Sequence, residues 1–160
     1  YVISASLIVL GILLWVAERT ASFRRDVSQV RFVDSQVIGL AQALSLIPGS
    51  SRSGTTMTAA MFLGLTREAA ARFSFILGIP AIAAAGLFEL RDLFRHGLSG
   101  AGMPALAIGI LTSAVSGYLA IDLLLRYLRS RTTHIFVWYR IGLGLLLLGL
   151  LAGGVLAPLG

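Results

Sequence analysis

The residues best suited to chemistry form one dense polar cluster within an apolar sequence, Pro48-Gly49-Ser50-Ser51-Arg52-Ser53-Gly54-Thr55-Thr56. The cluster combines a guanidinium group, several hydroxyl groups and flexible glycine backbone, and it contains no carboxylate. A planar guanidinium fork matches the oxygens of a phosphate group, and hydroxyl groups add further donors. The cluster therefore predicts an anion-binding site, with phosphate as the best geometric match.

Arg52 stands where arginine is rare, in the middle of an apolar segment. A charged side chain deep in a membrane costs a few kcal/mol or more, so it usually marks a functional site. We also expect a helix to begin directly after the cluster, and its first amides would offer donors and a positive dipole end to an anion. The alternative is that Arg52 pairs with an acid, of which Glu18 and Asp34 are the nearest candidates. The cluster alone does not distinguish a hydrolase from a transporter.

The composition is that of a membrane protein. Of 160 residues, 57% are hydrophobic and only 20 (13 basic plus 7 acidic) are charged, whereas soluble domains carry about a quarter charged residues. The absence of cysteine excludes disulfides, Cys-ligated zinc, iron–sulfur clusters and thiol catalysis. Because the chain begins with Tyr1 inside an apolar run, we expect it to be part of a longer protein.

The elements that position the cluster are predicted from uncharged stretches. They predict transmembrane helices over 1–18, 72–94, 101–127 and 136–157. The segment 35–66 differs, because Pro48-Gly49 and the polar residues after it break it into two short arms. An arm of about 12 residues covers roughly 18 Å, too little for a hydrocarbon core of about 30 Å. We therefore predict a re-entrant helix–loop–helix hairpin with the polar cluster at its tip.

The arginines test this topology. If the hairpin enters and leaves on one side, ten arginines share the cytoplasmic side and only Arg91 and Arg95 face the other. If it crosses once, the same twelve divide six and six. The positive-inside rule favours the first arrangement, with the C-terminus outside. We predict an all-α polytopic fold, and we assign the excess of arginine to topology rather than to a nucleic-acid partner.

The stretch from Gln42 to Thr56 resembles the second signature of the bacterial undecaprenyl-diphosphate phosphatases, the bacitracin-resistance (BacA) family. That signature reads Pro-Gly-x-Ser-Arg-Ser-x-x-Thr, and the chain matches every specified position. The stretch Arg72–Pro80 and the pair Tyr139-Arg140 are also similar to the family. The resemblance covers most of the chain.

The resemblance implies hydrolysis of undecaprenyl diphosphate to undecaprenyl phosphate, which recycles the lipid carrier of peptidoglycan synthesis in the bacterial inner membrane. It also implies a role in cell-wall synthesis, cell shape and bacitracin resistance. The family fold has two inverted repeats, each with one re-entrant hairpin, and this chain holds the second. Family members carry an upstream signature with acidic residues and a histidine, so we expect this chain alone to lack part of the active site.

Roles for the cluster follow from this resemblance. Arg52 is expected to clamp the diphosphate and to stabilise charge on the transferred phosphoryl group. Ser51 is expected to act either as the nucleophile or as a further donor, with direct attack by water as the other route. The residues expected to complete the phosphate cradle are Gly49, Ser50, Ser53, Gly54 and Thr56.

Three further expectations concern cofactor, partners and class. The family implies a divalent cation, Mg²⁺ or Ca²⁺, whose ligands are not identified in this chain. The expected partners are the polyprenyl diphosphate substrate and membrane lipid, and a homo-oligomer is possible. A transporter or flippase for an anionic or lipid-phosphate substrate stays open as the alternative function, because broken helices in inverted repeats are also typical of transporters.

Overall fold

The computed structural model of this chain describes residues 1–96 and 102–154. In these residues all regular elements are helices, and an isolated bridge joins Arg25 to Leu65. The helices are α1 (Val2–Thr20), α2 (Phe32–Ala43), α3 (Arg52–Phe62), α4 (Arg67–His96), α5 (Gly102–Ser130) and α6 (His134–Ala152), with short 3-10 turns at Val27–Gln29 and Leu44–Leu46. The predicted all-α fold is confirmed.

Four helices, α1, α4, α5 and α6, are long and apolar enough to cross a membrane, which confirms a polytopic membrane protein. Helices α1, α4 and α5 extend past the predicted spans where charged residues continue a helix beyond its apolar stretch, whereas α6 ends at Ala152, before the predicted end at residue 157. For example, α4 begins at Arg67 rather than at residue 72, because Thr66 caps it by accepting a hydrogen bond from the Ala69 amide at 3.2 Å. Of the predicted spans, residue 101 and residues 155–157 lie outside the described residues.

The predicted hairpin corresponds to α2 and α3, which contain 12 and 11 residues. Between them lie the turn Leu44–Leu46 and the tip Ile47–Ser51. Helix α3, which follows the tip, packs against α1, α2 and α4 and is therefore held from three directions. The re-entrant placement of this hairpin in a membrane stays a prediction.

The core lies where α1, α2, α3 and α6 meet. Leu14 of α1, Ile38 of α2, Met61 of α3 and Val137 of α6 are buried in one cluster. Small residues at the start of α4, including Ala70, complete it. This packing fixes the position of α3 relative to α1 and α6, and therefore the position of the polar cluster that begins α3.

A buried ion pair joins the helices at the end of α1. Glu18 is 6% exposed, and its carboxylate accepts hydrogen bonds from Nε of Arg67 at 2.7 Å and from the hydroxyl of Thr133 at 2.7 Å. The Arg67 guanidinium also lies over the ring of Phe23, 4.1 Å from its centroid. Glu18 thus ties α1 to the beginnings of α4 and α6, and it is not the partner of Arg52.

We expect Glu18→Ala to destabilise the protein by about 3 kcal/mol, because it leaves Arg67 without its carboxylate and Thr133 without its acceptor. Asp122→Ala is the matched control, since it removes a carboxylate from the exposed pair Asp122–Arg126, which is worth only about 0.3–0.5 kcal/mol. Denaturation of both variants in detergent measures the difference. Equal stability of the two variants would contradict the structural role of Glu18.

Candidate functional site

The tip of the hairpin is docked onto α1. Gly49 has a positive φ of +88°, a conformation that favours glycine. The hydroxyl of Ser6 in α1 donates to the carbonyl oxygen of Pro48 at 2.7 Å. A Cβ atom on Gly49 would lie 2.8 Å from the carbonyl oxygen of Ile3 and would also collide with Ser6. Glycine is therefore required here both by backbone conformation and by the close approach of α1.

Ser50 holds the tip together. It is buried, and its hydroxyl lies 2.6 Å from the carbonyl oxygen of Leu44 and also contacts the carbonyl oxygen of Ile47. The amide of Ser50 donates to the same carbonyl of Ile47 at 3.1 Å. These bonds close the turn before α3, so the polar atoms of Ser50 are engaged within the tip.

Ser51 is the N-cap of α3. Its hydroxyl oxygen accepts a hydrogen bond from the Gly54 amide at 3.2 Å and lies 3.3 Å from the hydroxyl oxygen of Ser53. Two hydroxyl groups thus stand together at the positive end of the helix dipole, where the first amides of a helix have no partner within the helix. This arrangement suits an anion.

Arg52 points toward α4. Its Nη1 donates to the carbonyl oxygen of Gly78 at 3.1 Å. A Cβ atom on Gly78 would lie 2.6 Å from Nη2 and 2.7 Å from Cζ of Arg52, so the absent side chain makes room for the guanidinium. Thr56 also faces α4, fully buried, with its hydroxyl 2.6 Å from that of Ser74 and 2.9 Å from the carbonyl oxygen of Arg52.

A cavity of about 540 Å³ lies between the hairpin tip, α1, α5 and α6. Its walls are mainly apolar and are formed by Leu7, Leu14, Met57, Leu124, Phe136 and Leu143. Of the predicted site residues, it is lined by Gly49, Ser50, Ser51, Ser53 and Gly54. Arg52 and Thr56 are not among its lining residues, and the roles predicted for all seven stay predictions.

Arg140 of α6 also lines this cavity. From its place in the sequence, Arg140 was assigned to the cytoplasmic arginines that set topology, but the residue is only 7% exposed and lies against the first turn of α3. A Cβ atom on Gly54 would be 2.7 Å from Nη1 of Arg140. The sequence held a usable signal, because Arg140 lies inside the predicted span 136–157 rather than in the loop before it.

Neither Arg52 nor Arg140 has an acidic partner among the residues that the structure describes. The ion pairs there are Glu18–Arg67, Asp34–Arg25, Glu68–Arg72, Glu68–Arg129 and Asp122–Arg126. The second acid proposed as a partner of Arg52 is therefore paired with Arg25. Among the described residues, the site therefore carries positive charge that no carboxylate balances.

Asp34 lies in the first turn of α2, at the start of the hairpin, and is not part of the site. The Arg25 guanidinium, and then the Arg31 amide at 2.8 Å, hold the pKa of its carboxyl below the ordinary value. Because the pKa of Asp34 is lower in the folded protein than in the unfolded chain, the pair with Arg25 stabilises the fold at pH values above the unfolded pKa. That stabilisation is lost as the pH falls through the pKa of the folded protein. Asp34 thus remains ionised and paired at neutral pH.

The donors of the cavity do not fit a divalent cation. They are hydroxyl groups, helix amides and the guanidinium of Arg140, all of which suit an anion. Within residues 1–96 and 102–154, no three His, Asp or Glu side chains come together in a way that could hold a metal ion. We therefore derive no chemical step through a metal held by these residues.

The family model and the related proteins that match this chain point to the same family. Residues 1–146 match the family described as bacitracin resistance protein BacA. The chain is 53% identical over 149 residues to a protein of Synechococcus elongatus named undecaprenyl-diphosphatase, covering 93% of this chain and 52% of that protein. A Myxococcus xanthus protein of the same name is 53% identical over 159 residues, 99% of this chain and 53% of that protein. The chain thus spans about half the length of the curated relatives it matches.

Proposed function

This chain belongs to the family of bacitracin resistance protein BacA, and from that premise we propose that the protein hydrolyses undecaprenyl diphosphate to undecaprenyl phosphate and inorganic phosphate. The names of the relatives support this activity. The four apolar helices make it a multi-pass membrane protein, and we propose that it works in the bacterial inner membrane. There it would recycle the lipid carrier of peptidoglycan synthesis.

The observation that carries the proposal is the division of the cavity into a polar end and apolar walls. The polar end consists of the capped first turn of α3 with the hydroxyl groups of Ser51 and Ser53. The walls include Leu7, Leu14 and Leu143. A polyprenyl diphosphate has the same division, with an anionic diphosphate head and a hydrocarbon tail, so head and tail would each meet matching groups.

The chemistry requires one bond to break. The phosphoanhydride bond of the substrate is cleaved, undecaprenyl phosphate leaves, and water supplies the new oxygen of the released phosphate. Either Ser51 attacks the terminal phosphorus first and water then cleaves the phosphoserine, or water attacks directly. We propose that Arg52 stabilises the charge that develops on the phosphoryl oxygens, using N–H groups other than the Nη1 donor that binds Gly78.

Substitution of Ser51 separates its capping role from its chemical role. We expect Ser51→Ala to lose about 1 kcal/mol of stability because the Gly54 amide loses its acceptor, whereas Ser51→Asn retains a capping oxygen and stays close to wild type. Thermal denaturation in detergent measures this difference. Phosphate release by Ser51→Asn then decides between the routes: loss of release supports a serine nucleophile, and retained release supports direct attack by water.

The enzyme proposal is tested with the purified protein as its gene encodes it. We expect release of inorganic phosphate from undecaprenyl diphosphate in detergent micelles, where no transport can be observed. A transporter or flippase would move the lipid between leaflets of a vesicle without releasing phosphate, and that result would overturn the proposal. A homo-oligomer stays a prediction, which light scattering of the same preparation tests.

A further inference from the structure

Helices α1, α4, α5 and α6 all end or begin at one end of the structure, which the sequence predicts to face the cytoplasm. Glu18 near the end of α1 binds Arg67 at the start of α4 and Thr133 just before α6. The amide of Arg24 donates to the carbonyl oxygen of Gly64 at 3.1 Å. These contacts bring together the loops that connect the helices here, which are 21–31, 63–66 and 131–133.

The arginines at this end fall into two groups. Those that form ion pairs with acids are Arg25, Arg67, Arg72, Arg126 and Arg129. Arg25 also donates to the carbonyl oxygen of Leu63 at 2.9 Å, so it holds two loops together. Four others are exposed and form no ion pair within the described part of the chain, namely Arg19, Arg24, Arg31 and Arg131. We refer to these four as the exposed arginines.

The exposed arginines outnumber the acids around them. Asp26 is the one acid in the sequence of the three loops, and its carboxylate accepts a hydrogen bond from the Val27 amide at 2.7 Å. Guanidinium groups gathered on one surface repel one another and attract anions. A partner that presents several negative charges in a plane would relieve this repulsion at more than one arginine.

Apolar side chains stand beside these charges. Phe32 and Val33 follow Arg31 at the start of α2, and 79% and 67% of their surfaces are exposed. Trp15 is also exposed, and Cζ of Arg19 lies 5.2 Å from the centroid of its ring. Cations beside aromatic and apolar groups are typical of a membrane interface, where phosphate groups border acyl chains. A small soluble anion would satisfy the arginines but leave Phe32 and Val33 in water.

We propose that the exposed arginines bind the headgroup phosphates of anionic phospholipids, while Phe32 and Val33 insert among the acyl chains. The positive-inside rule explains why arginines gather on one side of a membrane, but it requires no lipid of a particular charge. Here the folded protein binds anionic lipid, because these guanidinium groups lack acids of their own. Since α2 begins at Phe32, bound lipid holds the start of the hairpin in place. Lipid binding at this surface is independent of the proposed hydrolysis.

The test titrates dioleoyl phosphatidylglycerol into the protein as its gene encodes it, in neutral detergent, and follows the rise in Tm. Dioleoyl phosphatidylcholine and glycerol 3-phosphate are titrated in parallel. The first offers the acyl chains without net charge, and the second offers the phosphate without acyl chains. We expect phosphatidylglycerol to bind at least 10-fold more tightly than either. Salt at about 1 M should remove this preference, because it screens charges on a surface.

A matched pair of variants tests the arginines. Arg24→Gln combined with Arg31→Gln should weaken phosphatidylglycerol binding by about 10- to 30-fold, since an arginine near an anionic surface contributes about fivefold. Arg126→Gln combined with Arg129→Gln removes two exposed charges that already pair with acids, so we expect less than about a threefold change. Lipid bound only in the cavity would be weakened by neither pair of substitutions. Equal binding by the two variants would therefore overturn the proposal.

Phe32→Ser tests the insertion of the apolar pair. We expect about fivefold weaker binding of phosphatidylglycerol, because the ring no longer leaves water, with the salt dependence of the wild type. The variant of Arg24 and Arg31 should instead lose about half of that salt dependence. Glycerol 3-phosphate that binds as tightly as the lipid would overturn the proposal in favour of a small anion. No preference for phosphatidylglycerol over phosphatidylcholine would also overturn it and would make an acidic protein the next partner to test.

Discussion

Arg52→Ala is expected to lower the rate of phosphate release from undecaprenyl diphosphate by about 100- to 1,000-fold, because charge on the transferred phosphoryl group loses its stabilising guanidinium. Arg52→Lys keeps the charge but loses the planar fork, so we expect an intermediate rate. The protein should stay folded, since the guanidinium makes a single hydrogen bond, to Gly78, among the described residues. Steady-state phosphate release measures the rates, and wild-type release by Arg52→Ala would contradict the role of this residue.

A matched pair of glycine substitutions tests the position of Arg52 without removing it. A Cβ atom on Gly78 would lie within 2.7 Å of three atoms of the guanidinium, whereas Gly86, in the same helix, meets no described atom within 4 Å. Since the end of an arginine side chain moves easily, Gly78→Ala should displace the guanidinium while the fold persists. We expect release to fall at least 10-fold in Gly78→Ala and to remain unchanged in Gly86→Ala. Equal rates would show that the contact with α4 does not position Arg52.

The second large effect concerns the hairpin tip. We expect Gly49→Ala to destabilise the protein by about 3 kcal/mol, of which about 1–2 comes from the positive φ and the rest from overlap with α1. The overlap involves Ser6 and the carbonyl oxygen of Ile3, 2.8 Å from the added Cβ atom. Because the tip carries Ser51 and Ser53 into the cavity, release should also fall at least 10-fold.

Gly154→Ala is the control for Gly49→Ala. Gly154 also has a positive φ, of +70°, but an added Cβ atom meets no described atom within 4 Å. This variant should lose only the conformational part, about 1–2 kcal/mol, and should release phosphate as the wild type does. If the two variants have the same stability in detergent denaturation, then contact with α1 does not hold the tip in place.

Much of the fold follows from the sequence because apolar length and helix breakers are local signals. Long apolar stretches predicted the four spanning helices, and Pro48-Gly49 predicted the break between two short ones. The helix ends were predicted less well, because charged residues such as Arg67 continue a helix when an ion pair and an N-cap support them. Apolar length alone does not register this support, because it comes from residues outside the apolar stretch.

The site was less predictable because its geometry depends on contacts between distant residues. The polar cluster was recognisable from its composition, and the structure gives Ser51 the N-cap position at the start of α3. The direction of Arg52 depends on Gly78, which lies 26 residues later in the chain. The place of Arg140 depends on how α6 packs beside α1 and α3. An arginine near a helix end also fits the positive-inside rule. That rule explained the presence of Arg140 without placing its side chain in the cavity.

The most direct test of the account asks where the substrate lies. A polyprenyl diphosphate with a photoreactive diazirine in its first isoprene unit is irradiated with the purified protein, and labelled residues are mapped by mass spectrometry. We predict labels on the cavity walls, at Leu7 or Leu14 of α1 and at Phe136 or Leu143 of α6, that disappear when unlabelled undecaprenyl diphosphate competes. Labels confined to the exposed residues Ile108–Val115 of α5 and insensitive to competition would contradict the proposed site.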